Sequence, residues 1–275
     1  MLNDPTPVLH EREFEKFQKL AYDKFGLHLT PAKHQLVATR LGKKLRELGI
    51  PSYGAYYDFI VSDKTGKSLI AMIDALSTNH TQFLRETAHF DFLRRELLPA
   101  LRQRPRIDIW SAPCSTGEEP YSIAMVLFDE LGMPPRPPVL IRAIDISTRA
   151  LAAARAAVYP ANRIAGITPV QTKRYFFEKK PGSFSVVPEI RRAVEFERVN
   201  LVEPTADLRM YPLIFCRNLL IYFDQPTQQK VVHELIRHLE PGGHLFIGHS
   251  ESLMGLIHPL EFVEPSIYRL PDKRL

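Results

Sequence analysis

The stretch from Ile107 to Met125, IDIWSAPCSTGEEPYSIAM, constrains the fold more than any other part of the chain. Ile107 to Trp110 reads as a short buried strand, because β-branched and aromatic side chains favour a pleated, packed surface. Ser111 to Gly117 is a turn of small residues. Glu118 and Glu119 follow, Pro120 suits a first helical position, and Tyr121 to Leu131 reads as an amphipathic helix. Strand, tight turn and helix make the unit at which α/β proteins bind nucleotides and related cofactors, outside the carboxyl ends of the strands. The turn holds one glycine rather than the three of the dinucleotide fingerprint. It also places two carboxylates where a pyrophosphate needs amides and positive charge. A cofactor with a cationic, amino-acid-like end suits such a turn, and S-adenosylmethionine is the common candidate.

Ahead of this element the chain reads as helical. Phe14, Phe17, Leu20, Ala21 and Phe25 fall at helical spacing and end near Gly26. After Thr30-Pro31, a second apolar face of Leu36, Val37, Leu41, Leu45 and Leu48 closes at Gly49. The other face carries Lys33, Arg40, Lys43, Lys44 and Arg46 against Glu47, which fits either a solvated surface or a docking face for an acidic helix. Short helices are expected around Tyr53 to Val61 and Leu69 to Leu76, so residues 1–76 read as an all-α domain. Residues 77–105 read as a linker and a cofactor-contacting helix, opened by the polar, cap-rich run from Ser77 to Glu86.

Residues 106–275 read as an α/β domain. Val139 to Ile144 is a second buried strand ending at Asp145, an acid that either binds ribose hydroxyls or caps the helix after Ser147 and Thr148. Two brief alternating runs, Ser183 to Val187 and Ala193 to Glu197, suggest a small antiparallel insert at about 178–197. Val199-Asn200-Leu201 reads as the end of a third core strand, Leu213 to Cys216 as a fourth and His244 to Gly248 as a fifth. Ile267 to Leu270 reads as an antiparallel edge. Strands alternating with helices imply a mostly parallel sheet covered on both faces.

Composition removes several classes. Two cysteines in 275 residues give no disulfide framework, the N-terminus shows no signal peptide, and no run approaches a membrane span, so a reduced, cytoplasmic chain is expected. A formal net charge of +5 and a pI near 9.1 point to an acidic partner.

Six blocks, in order along nearly the whole chain, resemble the CheR chemotaxis receptor methyltransferases. They are Asn79-His80-Thr81 with Phe83-Leu84-Arg85-Glu86, Ser115 to Ser122, Asp145-Ile146, Asn200-Leu201, Phe215 to Phe223, and Gly248-His249-Ser250-Glu251. The resemblance implies a class I methyltransferase domain with a small β insert behind an N-terminal helical domain. It further implies S-adenosylmethionine as methyl donor, S-adenosylhomocysteine as product, and glutamate side chains on chemoreceptor cytoplasmic helices as acceptors. Carried over by motif, the cofactor contacts fall on Asn79, Thr81, Arg85, Glu119, Asp145, Asn200, Leu201, Arg217 and Asn218. Arg85 is expected to hold the acceptor carboxylate by its planar fork, and Tyr222 to line the transfer path. No metal and no membrane insertion are implied, and a monomer is expected.

Relatives with a slightly longer insert add a receptor tail peptide as a strand. Here Phe177 to Ile190 is shorter, and Phe177-Glu178-Lys179 stands where an extra basic residue can occur. Docking through the basic face of residues 32–48 is therefore expected instead of tail capture. Two other classes stand beside this reading. A nucleic-acid methyltransferase would suit the basic pI, but no D/N-P-P-Y/F/W motif for a flipped base is present, so no nucleic acid is expected as partner. A non-catalytic cofactor-binding adaptor would keep the donor site and transfer nothing.

Overall fold

The structure, a computed structural model, describes residues 7–205 and 207–272. The N-terminal stretch read as lacking a signal peptide begins in residues outside that range. The chain divides into two compact units, one formed by Met1–Thr78 with Tyr222–Thr227, the other by Asn79–Ile221 with Gln228–Leu275.

The helical unit contains α1 (Glu11–Phe25), α2 (His34–Leu48), α3 (Tyr53–Ser62) and α4 (Lys67–Leu76). Phe14, Phe17 and Ala21 of α1 pack into a core with Val37, Leu41 and Leu45 of α2 and with Tyr53, Tyr56 and Ile60 of α3. Gly26 and Gly49 end α1 and α2 at φ 65° and 66°, a left-handed backbone that glycine adopts without a Cβ clash. The basic face of α2 is only partly a surface. Lys33, just before α2, donates to the His28 carbonyl at 3.0 Å, and Arg40 donates to the Leu76 carbonyl and to Thr78. Lys44 pairs with Glu47 at 2.7 Å, whereas Lys43 and Arg46 stand exposed.

The second unit is built on a seven-stranded sheet. Its strands are β1 (Ile107–Ser111), β2 (Val139–Asp145), β6 (Val194–Arg198), β7 (Tyr211–Cys216), β8 (Leu239–Ile247), β9 (Glu261–Glu264) and β10 (Ile267–Arg269), in the order β6-β2-β1-β7-β8-β10-β9. All neighbours pair in parallel except β10, which is antiparallel to both β8 and β9. The order runs outward from β1 through β2 to β6, then reverses from β7 to β8. Such a reversal opens a crevice outside the carboxyl ends of β1 and β7. A second, three-stranded antiparallel sheet joins β3 (Val158–Pro160), β5 (Ser183–Val186) and β4 (Phe176–Lys180).

Several sequence expectations change here. The run from Ala193 to Glu197 does not belong to the small sheet. Val194–Arg198 pairs in parallel with β2, from Ile141↔Val194 to Asp145↔Arg198. A half-buried edge strand alternates in the same way as a hairpin strand, so its pattern could not assign the sheet. The missing partner of the insert is Val158–Pro160, too short to show a pattern. Ile267–Arg269 is likewise not the edge, because β9 lies outside it. The helix after the central turn begins at Glu118 rather than near Pro120, so Pro120 occupies its third position. A proline there still removes no helical hydrogen bond, because the first-turn amides have no partner within the helix.

Candidate active site

The carboxyl ends of β1, β2, β6 and β7 supply the site. Gly117 closes the turn after β1 at φ 97°, and a Cβ there would lie 2.9 Å from the Tyr159 hydroxyl and 3.0 Å from Ala154 Cβ. Glycine is therefore required by both backbone and space. Glu118 and Glu119 then form the first turn of the Glu118–Leu131 helix, where negative charge is favoured. Neighbouring helical positions lie about 100° apart around the axis, so these two acids reach different partners. Glu118 is fully buried and pairs with Arg163 Nη2 at 2.6 Å, while the Thr116 hydroxyl donates to it at 2.6 Å. Glu119 Oε1 accepts from the Ser111 hydroxyl at 2.7 Å, and its Oε2 lies 3.3 Å from Arg217 Nη1.

Arg217, the residue after β7, joins two carboxylates. Its side chain is 2% exposed. Nε and Nη2 both lie 3.1 Å from Glu86 Oε2, and Nη2 also donates to the Arg85 carbonyl. The two carboxylates sharing this cation shift in opposite directions. Burial pushes Glu119 above the usual carboxylate range, and Arg217 and Ser111 only partly oppose it. Burial pushes Glu86 up as well, but the Arg217 charge and the His249 amide outweigh it and hold Glu86 below that range. His89 stacks on Phe246 with ring centroids 5.0 Å apart and lies 3.6 Å from Glu86. Burial first and Arg217 second push the His89 pKa down to about 3, so this imidazole is neutral at physiological pH.

Asp145 ends β2. Its two oxygens accept the Ser115 and Ser147 amides, each at 2.8 Å. The following helix is capped by the Ser147 hydroxyl, which accepts the Ala150 amide. Asp145 thus ties the end of β2 to the turn after β1. Asn79 Nδ2 lies 3.5 Å from the Ser147 hydroxyl, and Thr81 is buried. Asn200 and the buried Leu201 follow β6, with Asn200 Nδ2 donating to Glu203 at 2.9 Å. Asn218 adopts φ 60° and donates its amide to Glu251 at 2.8 Å. Arg85 donates to the His80 carbonyl at 3.1 Å and leaves 30% of its side chain exposed.

Arg217 therefore links Glu119, Glu86 and the Arg85 backbone, while Asn79 and Asp145 are linked through Ser147. Tyr222 groups by its contacts with the helical unit. Its carbonyl accepts the His28 amide at 2.9 Å, and Lys33 Nζ lies 5.9 Å from its ring centre. Sequence reasoning assigned no role to Glu86, Ser111, Arg163 or Glu251. Each acts through a partner distant in sequence or through a backbone amide, and only the family-like blocks holding Glu86 and Glu251 marked them at all.

Two family patterns cover most of the chain: "CheR methyltransferase, all-alpha domain" over residues 12–77 and "CheR methyltransferase, SAM binding domain" over residues 79–268. The chain belongs to the CheR methyltransferase family. It is 39% identical over 279 residues to "Chemotaxis protein methyltransferase 2" of Pseudomonas aeruginosa, covering 96% of this chain and 97% of the relative. It is 35% identical over 265 residues to the "Chemotaxis protein methyltransferase" of Borreliella burgdorferi, covering 94% and 93%. It is 36% identical over 267 residues to that of Escherichia coli, covering 96% and 92%. This CheR-family chain is an S-adenosylmethionine-dependent methyltransferase of chemotaxis. The residues suit that cofactor: carboxylates, amides and one glycine turn gather at the strand ends, and Arg163 and Arg217 are paired with Glu118, Glu86 and Glu119. No helix among the described residues is long and apolar enough to cross a membrane.

Proposed function

We propose that this protein methylates glutamate carboxylates on the cytoplasmic helices of chemoreceptors, with Asn79, Thr81, Arg85, Glu119, Asp145, Asn200, Leu201, Arg217 and Asn218 forming the donor site. The carrying observation is the Glu86–Arg217–Glu119 chain at the end of β7, next to the turn after β1. S-adenosylmethionine, when bound, supplies an electrophilic methyl group on a positively charged sulfur. Glu119 offers negative charge to the amino-acid end, Asp145 to the ribose hydroxyls, and Asn200 with Leu201 frames the adenine. Arg217 holds Glu119 in place and offsets part of the burial effect that disfavours its charged form.

An acceptor glutamate is already ionised near pH 7, with an ordinary pKa of about 4.3, so attack on the methyl carbon requires no general base. One carboxylate oxygen forms the new C–O bond as the C–S bond breaks with its electron pair. A methyl ester and neutral S-adenosylhomocysteine result, and the two opposite charges cancel. Catalysis then rests on alignment and on excluding water from a charge pair. Arg85, whose guanidinium is partly exposed, orients the incoming carboxylate with its fork, and Tyr222 lines the path. Substrate docking falls to the basic residues around α2 (Lys33, Arg40, Lys43, Lys44 and Arg46), with Lys43 and Arg46 the most accessible.

A second docking reading rests on β4. It is one of the two outer strands of the small sheet, and Phe177 is 47% exposed, so an extended receptor tail could add there as a strand. One experiment tests both. The protein is incubated with methyl-labelled donor and a receptor cytoplasmic fragment, with and without the receptor's C-terminal tail. Base-labile label on receptor glutamates is expected with either fragment. No label overturns the proposed activity and leaves a donor-binding adaptor; label that requires the tail moves docking to β4.

A further inference from the structure

The block Gly248-His249-Ser250-Glu251 takes no part in the roles assigned above, yet it touches the donor site from two sides. Glu251 lies in the turn after β8 and directs both carboxylate oxygens at backbone amides. Oε2 accepts from Gly248 at 2.6 Å and from Asn218 at 2.8 Å. Oε1 accepts from Leu220 at 2.7 Å and from Ile221 at 3.3 Å. Three of these four amides belong to the loop after β7, which carries Arg217 and Asn218. Asn218 sits at φ 60°, the left-handed region that asparagine enters more readily than most non-glycine residues, and the amides of Asn218, Leu220 and Ile221 all turn to the one Glu251 carboxylate.

Gly248 fits the same design. A Cβ on it would lie 2.5 Å from Asn218 Nδ2 and 2.8 Å from Glu251 Oε2, so the β7 and β8 loops can meet this closely only at a glycine. From the other side, the His249 amide is among the groups that stabilise the ionised Glu86 partner of Arg217. The turn after β8 therefore holds Asn218 by its backbone and Arg217 through Glu86. A buried carboxylate surrounded by amides is an expensive structural staple, because burial pushes Glu251 above the usual carboxylate range despite all four amides. An apolar turn residue could close two loops at less cost. What a carboxylate adds is a fixed direction for several amides at once.

We infer that Glu251 is a positioning residue of the methyltransferase reaction, fixing the backbone of Asn218 to Ile221 and thereby the donor-binding geometry of Arg217 and Asn218. The inference rests on the assignment of those two residues to the donor site. The test compares Glu251→Gln with Asp145→Ala in the full-length protein, reading S-adenosylhomocysteine affinity by calorimetry, methyl transfer to the receptor fragment and the thermal midpoint. A glutamine keeps the size but turns an N–H toward amides that need an acceptor. Affinity should fall about ten- to hundredfold, the range for losing hydrogen bonds to a charged group. Methyl transfer at saturating donor should fall about hundredfold further, as for a misplaced reacting group.

Glu251→Asp, which keeps the charge, should recover part of both. A Glu251→Gln protein that melts earlier but binds and transfers normally well below its midpoint makes Glu251 a structural staple only and overturns the inference. If Asp145→Ala also leaves affinity unchanged, the donor-site assignment itself fails, which is a different result. Should Glu251→Gln not fold, amide hydrogen exchange in the wild type decides. Protected Asn218, Leu220 and Ile221 amides that slow further with S-adenosylhomocysteine support the clamp, and fast exchange unchanged by the ligand overturns it.

Discussion

Lys43 and Arg46 on α2 stand in water, whereas Arg217 at the end of β7 is buried and contacts two carboxylates and a carbonyl. Both regions are rich in arginine and lysine, but the medium around each cation sets its use. An exposed pair contributes only ~0–1 kcal/mol because water competes and salt screens it. A buried cation fixes geometry, because removing it leaves its partners charged and desolvated. Between the extremes lies Arg40, which spends its guanidinium on the Leu76 carbonyl and Thr78, within its own helical unit. On the proposed docking, the chain separates steering from positioning by depth.

Arg217→Met should produce the largest effect. It strands Glu86 and Glu119, whose side chains are 11% and 10% exposed, and should destabilise the fold by about 3–5 kcal/mol. Donor binding should be lost with it. Denaturant unfolding of Arg217→Met, Glu86→Gln and the double variant checks this as a double-mutant cycle. The double variant should recover part of the loss, because it removes one stranded charge. A cycle with no coupling would break the contrast drawn between deep and exposed cations.

The fold was largely legible because its strands are buried runs punctuated by turn residues, as with Ile107 to Trp110 and Val139 to Ile144. Most of what misled lay at sheet edges. Val194–Arg198 alternates because one face is half-exposed, and Val158–Pro160 is too short to alternate at all. Within the site, strand-end residues such as Asp145 and Asn200 follow from where strands stop. The pairings do not. Nothing in spacing says that Arg217 meets Glu86, or that Glu118 turns to Arg163 while Glu119 turns to Arg217. Those depend on side-chain directions that only the packed helix fixes. The basic face of α2 was legible as charge but not as exposure, since Lys33 and Arg40 are consumed by carbonyls.

Glu119 sharpens the comparison through pH. Its folded pKa is raised by burial, so its protonated form favours the fold. That contribution is present below the unfolded pKa of about 4.3 and lost as pH rises through the folded value. The proposed donor site needs the opposite form. As pH falls, affinity for S-adenosylhomocysteine should weaken at a pH above the ordinary carboxylate range, while the Glu119 share of stability grows. Glu119→Gln should remove that acid limb and weaken binding at neutral pH by about 1.5–3 kcal/mol. Calorimetric titrations of both proteins across mildly acidic pH check it; parallel limbs in the two would remove Glu119 from the donor site.

The smallest effect on the folded chain should come from reversing its most exposed cations. Lys43→Glu with Arg46→Glu should leave stability within about 0.5 kcal/mol, as for surface positions free of packing. Donor affinity should not change. The expected loss is instead in kcat/KM for receptor methylation, by about tenfold or more at low ionic strength, because charge on an exposed face acts mainly on encounter. Salt dependence separates this steering effect from damage to the site itself. The Debye length falls from ~30 Å at 0.01 M to ~8 Å at 0.15 M, so the wild type should slow and the gap between the two proteins should narrow. Adding Lys44→Glu should deepen the defect, since Lys44 already pairs with Glu47 and the reversal leaves both acids on one face. A gap that stays constant with salt would mean that α2 makes fixed, desolvated contacts with the receptor. The exposed cations would then position the substrate just as Arg217 positions the donor site, and the division by depth would not hold.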